Sequence, residues 1–236
     1  MQVSLSDITG ITVTHNTVHL IRPAYESVRK FHPEMRIIIV DGSDTHDPCR
    51  AYVKGLSSQF TTVALAEGNI GHGRGMDYAL RMVKTRFAII FDSDIVMLKS
   101  PLEAMLAMMQ EDTYAVGYNE ITGNDGFEYG AHSHHKNETP TKYMHPYFML
   151  IQVSEYFKIH PFVHNGAPCY LTMNEIKEKG LSDKILIEFP GLGHSAGKGW
   201  TWEGEVREWI KHDSAGTRKH RRLKGKNEIE GVWVYV

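Results

Sequence analysis

The run Phe87-Ala88-Ile89-Ile90-Phe91 is apolar throughout and ends in Asp92-Ser93-Asp94. A short run of this kind reads as a strand buried on both faces, which requires a sheet covered by other elements on each side. Its end places two carboxylates one residue apart at the edge of that sheet. Alternate residues of a strand share a direction, and a turn can bring the two sets of oxygens closer still. Such a pair repels unless a positive charge lies between the two groups. A hard divalent cation that takes oxygen ligands meets that need. The plainer alternative is a solvated strand-to-turn junction, since Asp is a common turn residue.

The chain around this run alternates between two periods. Strands are predicted at 11–14, 36–40, 61–65 and 87–91. Helices are predicted from Pro23 to Lys30, from Asp47 to about Gly55, after the glycine-rich turn Gly68–Gly75 to about Lys84, and from Pro101 to Gln110. Strand and helix in turn over the first half is the pattern of an α/β fold, a mostly parallel central sheet with helices on both faces. Ligands of such sheets sit outside the carboxyl ends of the strands. Those ends carry Thr14, His15 and Asn16; Asp41 and Asp44; Glu67 and Asn69; and Asp92 and Asp94.

Length and composition narrow the classes. The chain has 236 residues, 42% of them hydrophobic and 23% charged, with a formal net charge of −2. One domain over 1–236 is expected, with a change of character near Tyr118. The net charge excludes global attraction to nucleic acid as the main theme. Two cysteines, Cys49 and Cys169, give no disulfide framework and favour a reducing compartment. No run reaches the roughly 20 apolar residues that span a bilayer, and Met1–Gly10 does not read as a secretory signal. A cytoplasmic protein is expected, with peripheral membrane association left open.

Gly71, Gly73 and Gly75 give G-x-G-x-G after the third strand, which is not the dinucleotide fingerprint G-x-G-x-x-G after the first. No P-loop is present either. Three features instead resemble a family-2-type glycosyltransferase of the GT-A fold. The first strand ends in Thr14-His15-Asn16 and the second in Asp41-Gly42-Ser43. Asn69-x-Gly71-x-x-x-Gly75-x-Asp77-x-Ala79 is similar to that family's N-x-G-x-x-x-A-x-N-x-G turn and helix. Asp92-Ser93-Asp94 falls where the family has D-x-D. The resemblance covers about residues 9–110 well and the remainder loosely. It implies a GT-A-like (Rossmann-like) sheet and a nucleotide-sugar donor, with a UDP-sugar as the default, and within the one domain a nucleotide-binding half to about 117 and an acceptor-binding half with the metal-site closure from about 118. Thr14, His15, Asn16, Asp41, Asn69, Gly71 and Arg74 would then line the nucleotide site. Asp92, Ser93 and Asp94 would meet ribose and a metal that bridges the diphosphate.

His194-Ser195-Ala196-Gly197-Lys198-Gly199-Trp200 resembles the H-x-x-G-x-K-P-W closure of family-8-type enzymes, one residue shorter and with Gly199 in place of Pro. That likeness implies His194 as a metal ligand and Lys198 as a phosphate contact. An imidazole in the ligand set suits Mn²⁺ better than Mg²⁺. The alternative is an ordinary glycine-rich loop with a surface His.

Inverting transfer needs a general base beside the attacking hydroxyl. Family-2 enzymes supply a carboxylate near the equivalent of Asn165-Gly166-Ala167-Pro168, where this chain has none. The polar segment Asn119–Thr141 offers Asp125 and Glu128, and less favourably Glu120, as candidate catalytic residues. Gly123 and Gly126 flank Asp125 and would let that loop approach a substrate. His132, His134, His135 and His145 match no zinc spacing. Trp200, Trp202 and Trp209 suit core packing at least as well as sugar stacking.

The second half is otherwise predicted as strands at 114–118, 146–153, 184–189 and 232–236, with helices after Ser154 and at 173–179. Lys211 to Lys226 is strongly basic, pointing to an anionic partner: donor diphosphate, a lipid-linked glycan or lipid surface, or a nucleic acid. The combined reading is a metal-dependent glycosyltransferase. A sugar nucleotidyltransferase is disfavoured because Thr14-His15-Asn16 stands where that class has a glycine-rich loop. A non-catalytic nucleotide- or glycan-binding module draws its support from the missing carboxylate near Ala167.

Overall fold

The computed structural model describes residues 4–122, 140–163, 167–192 and 209–212. Asp125, Glu128, His194, Lys198, His132, His134, His135, Trp200, Trp202, the 213–226 part of the basic stretch and the terminal strand at 232–236 lie outside them.

The strands are β1 (Ile8–Thr14), β2 (Arg36–Asp41), β3 (Thr61–Leu65), β4 (Phe87–Phe91), β5 (Ile95–Met97), β6 (Ala115–Thr122), β7 (Thr141–Gln152), β8 (Leu186–Glu188) and β9 (Ile210–His212). The helices are α1 (Val18–Phe31), α2 (Pro48–Lys54), α3 (His72–Met82), α4 (Leu102–Ala107), α5 (Val153–Tyr156), α6 (Tyr170–Glu178) and α7 (Ser182–Ile185). The described strands form a central sheet of order β3-β2-β1-β4-β7-β6-β8 and a two-stranded ribbon of β5 and β9. β1, β2, β3 and β4 are mutually parallel, and β7 runs against both β4 and β6. The expected α/β architecture, a mostly parallel sheet with helices on both faces, is the one observed.

Period-two burial explains why β2 and β4 read as continuous apolar runs. Ile37 and Ile39 of β2, with Phe87, Ile89 and Phe91 of β4, enter the core beneath α1, α2 and α4. Ile38, Val40, Ala88 and Ile90 enter the opposite core, beneath α3, α5 and α6. Both faces of these strands are therefore covered, as the parallel arrangement demands.

Several boundaries differ from the sequence expectation, each for a local reason. α1 starts at Val18 and carries Pro23 inside it. Leu20, Ile21, Ala24 and Val28 form one buried stripe at helical spacing, and packing that stripe outweighs the N–H that Pro23 lacks. α3 begins at His72, inside the glycine-rich turn rather than after it. β6 and β7 reach into the segment predicted as a loop and pair as far as Thr122 with Thr141. Pro146 lies within β7, where the register between β6 and β7 shifts between Val116 and Tyr118. A proline is tolerated at such an irregularity because no ladder donor is required there. The strand predicted at 184–189 is divided into α7 and β8. No helix of the described residues is long and apolar enough to cross a membrane. Cys49 and Cys169 are free and buried.

Candidate metal and nucleotide site

The carboxyl ends of β1, β2, β3 and β4 lie along one edge of the sheet, and loops from three of them interlock. After β1, Asn16 adopts a left-handed backbone with φ 55°. Its Nδ2 donates to Asp44 Oδ2 at 2.7 Å, and its Oδ1 accepts from the Asp44 backbone N–H at 2.9 Å. His15 Nδ1 lies 2.8 Å from the Gly42 carbonyl oxygen. The Asn16 N–H donates to Ser43 Oγ at 2.8 Å. A Cβ on Gly42 would fall 2.8 Å from the Gly68 carbonyl oxygen, so the loop after β2 sits flush against the turn after β3 only because Gly42 has no side chain.

Two of the expected nucleotide residues are turned into the protein. Asp41 is fully buried. Its Oδ1 accepts from the Ser43 N–H at 3.0 Å and from the Ser43 hydroxyl, and its Oδ2 lies 3.2 Å from Arg50 Nε. Thr14 is also buried, its hydroxyl 3.1 Å from that of Thr17 and 3.5 Å from the Cys49 sulfur. Both anchor the loops that carry His15, Asn16 and Asp44. Arg74 is exposed on α3. Asn69 Oδ1 accepts from the Gly71 N–H at 2.9 Å, and Gly71 has φ 82°.

Asp92, Ser93 and Asp94 form the turn between β4 and β5. The Asp92 N–H donates to the Tyr147 carbonyl at 2.9 Å, extending the β4–β7 pairing by one bond. β5 then pairs antiparallel with β9, Ile95 opposite His212. That register brings His212 Nε2 to 3.3 Å from Asp94 Oδ1 and 3.8 Å from Asp92 Oδ2. Donor atoms of Asp92, Asp94 and His212 lie within 4.8 Å of one another. The Tyr147 ring stacks on His212 at 4.6 Å and 5°, fixing the plane of the imidazole. β9 is anchored by Trp209, whose carbonyl accepts from the N–H groups of Leu98 and Lys99. The Trp209 ring packs edge-on against Phe189 at 5.9 Å, so this indole serves the core.

Two carboxylates and an imidazole form a donor set that fits a divalent ion of the Mn²⁺ type. His212 was not singled out in the sequence. Its only local signal is the alternation Trp209-Ile210-Lys211-His212, too short to establish a strand. The Asp92–Asp94 pair was expected there, and the imidazole expected beside it, His194, lies outside the described residues.

A second imidazole reaches the same carboxylate. His72 Nε2 lies 3.1 Å from Asp92 Oδ1. Burial alone would raise the Asp92 carboxyl, but the charge and contact of His72, with His212 and His145 behind it, hold it down at about 2. For His72, burial works against protonation, and Asp92 and Asp94 together overcome it and raise the imidazole above its ordinary 6.5. The signs give a stability window for metal-free protein. The His72 contribution is complete below about pH 6.5 and is lost as the pH climbs through the raised value. The Asp92 contribution is present above about pH 4 and is lost as the pH falls toward 2. In EDTA, the Tm difference between wild type and His72→Gln is therefore expected to shrink as the pH rises from about 6 to 9. Thermal unfolding across that range checks it, and a constant difference would contradict the pairing.

The family model described as Glycosyl transferase family 2 matches residues 10–171. Among solved structures, the chain is similar to mannosyltransferase PcManGT from Pyrobaculum calidifontis in complex with GDP-Man and Mn²⁺. The TM-score is 0.57 at 14% identity, covering 78% of this chain and 55% of that one. It is similar to S. aureus TarS 1-349 in complex with UDP, with TM-score 0.53, 18% identity, and 77% and 57% covered. It is also similar to GalNAc-T7 with UDP, GalNAc and Mn²⁺, with TM-score 0.52, 13% identity, and 70% and 39% covered. At these identities the likeness is one of fold. The chain spans little more than half the length of the first two. No curated protein sequence matches it.

Proposed function

The chain belongs to glycosyl transferase family 2, and from that premise we propose that it moves a sugar from a nucleoside-diphosphate donor to an acceptor hydroxyl by metal-assisted displacement. The observation that carries this reading is the convergence of Asp92, Asp94 and His212 at the carboxyl edge of the sheet. A divalent cation held by these three would act as a Lewis acid on the charge that develops on the departing diphosphate. The interlocked loops of His15, Asn16, Gly42 to Asp44 and Asn69 form one wall of the same edge. They offer amide, imidazole and backbone groups suited to a nucleoside. The ligands named for the similar structures, GDP-Man and UDP, make both uridine and guanosine diphosphates the first to try.

The acceptor hydroxyl must lose a proton as the sugar is transferred. Asp125, with Glu128 as the alternative, is proposed to take it, on the strength of the glycines that flank Asp125 in the sequence. Lys198 is proposed as a further diphosphate contact, and the basic 211–226 stretch as the approach for an anionic acceptor.

Calorimetry with UDP and with GDP, each with and without Mn²⁺, tests the reading. Binding of one nucleotide is expected with Mn²⁺ and is expected to weaken at least about tenfold, or ~1.4 kcal/mol, when EDTA replaces the metal. Affinity that ignores EDTA would sink the metal-assisted mechanism. Slow hydrolysis of a matching sugar nucleotide, followed as released diphosphate, separates an enzyme from a binding module.

A further inference from the structure

The glycine-rich turn at 69–75 has a consequence beyond the nucleotide wall. Asn69 closes the turn on Gly71 N–H, and Gly71 takes a positive φ of 82°. Gly75 lets α3 press onto β1, since a Cβ there would fall 2.7 Å from Val13 Cγ1. Together these features start α3 at His72 and drive its first residue toward β4. His72 Nε2 arrives 3.1 Å from Asp92 Oδ1. That oxygen is buried from solvent, whereas Oδ2 of the same carboxylate faces His212. The two oxygens of Asp92 therefore have different neighbours. The group whose donor atoms gather within 4.8 Å is Asp92, Asp94 and His212, and His72 stands outside it.

We propose that His72 is a positioning residue, holding Oδ1 of Asp92 so that Oδ2 alone is presented toward Asp94 and His212, and that the 69–75 turn is built to deliver it. This rests on the metal reading above. An untethered carboxylate rotates about its terminal torsion, which is soft and two-fold. It can then offer either oxygen or both. Contact with a partly buried imidazole removes that freedom before the ion arrives. Groups that orient a metal ligand from behind in this way are worth about 10- to 100-fold in metal affinity.

The test is Mn²⁺ binding at fixed pH, followed by the loss of the free-ion paramagnetic resonance signal, with and without UDP. Wild type, Asp94→Asn, His72→Leu and His72→Gln are compared, with circular dichroism as the check on folding. His72→Leu fills the space without a donor, and His72→Gln returns an amide N–H near the former Nε2 position. Wild type is expected to bind Mn²⁺, and His72→Leu to bind it about 10- to 100-fold more weakly. His72→Gln is expected to bind Mn²⁺ nearly as tightly as wild type, a comparison that stands even if the leucine variant fails to fold. Equal affinity in wild type and His72→Leu overturns the positioning role while leaving the metal site standing. Equal weakening in the Leu and Gln variants also overturns it, because a donor would then make no difference. Wild-type protein that binds no Mn²⁺, or binds it unchanged by Asp94→Asn, overturns the metal reading and this role with it.

Discussion

Replacing Asp94 by asparagine is expected to lower transfer or donor hydrolysis by at least about 100-fold, a barrier increase of ~2.7 kcal/mol. The size follows from what the substitution removes. Asp94 Oδ1 is the carboxylate oxygen nearest His212, at 3.3 Å. The amide keeps the shape but loses the charge, leaving a candidate cation with one carboxylate and one imidazole. A hard divalent ion depends on charged oxygen ligands for most of its affinity. Folding should be nearly unaffected, since removing one of two adjacent negative charges relieves repulsion in metal-free protein. Kinetics at saturating Mn²⁺, read beside Mn²⁺ affinity, check the claim. Wild-type kcat/KM in Asp94→Asn would rule the residue out as a ligand.

The companion substitution is His212→Ala, tested against His194→Ala. Sequence resemblance assigns the imidazole to His194, whereas the described structure has His212 beside both carboxylates. A large loss in His212→Ala with near-normal His194→Ala assigns the ligand to β9. The reverse result assigns it to the closing motif.

Arg50→Ala is expected to destabilise the fold by about 3–5 kcal/mol. Arg50 is mostly buried against Asp41, which is wholly so, with Nε 3.2 Å from Asp41 Oδ2. Its guanidinium also donates to the Ala66 carbonyl at 2.7 Å and to the carbonyls of Ser43 and Asp41. One side chain thereby joins the end of β2, the following loop and the residue after β3. Truncating it leaves a buried carboxylate without its cation and several carbonyls without donors. An uncompensated buried charge is among the costliest single defects in a fold. Urea unfolding measures it, and a loss below about 1 kcal/mol would mean that water or a shifted side chain replaces the guanidinium. Asp41→Asn is a milder probe, because it keeps the shape while removing the charge.

Arg50 and Asp41 also show what the sequence pattern leaves unread at a strand end. Asp41 stands at the end of a buried strand, where ligand groups gather, and resemblance makes it a nucleotide contact. The structure gives its carboxylate to Arg50 and Ser43, nine and two residues on. Nothing in the local pattern distinguishes a carboxylate aimed outward from one aimed at an arginine on the next helix. α1 shows the opposite case. Pro23 suggested a helix starting there, yet the buried stripe extends from Leu20 to Val28 and carries the helix past the proline.

By itself the sequence determined the parallel half of the sheet, the helices that cover it and the carboxylate pair. These follow from short-range periodicity: two-residue alternation for Ile37 to Val40, and apolar runs that only a covered sheet can accept. The end of β4 therefore had to bring Asp92 and Asp94 to the carboxyl edge. Tertiary structure alone decided what joins them. His212 reaches Asp94 through a three-residue pairing of β5 with β9, too short to leave a periodic signal and joined across a long stretch of chain. His72 reaches Asp92 because Gly71 and Gly75 let α3 start early and lie close to β1. Contacts of this kind depend on packing between distant segments, and local sequence carries no term for the distance between them.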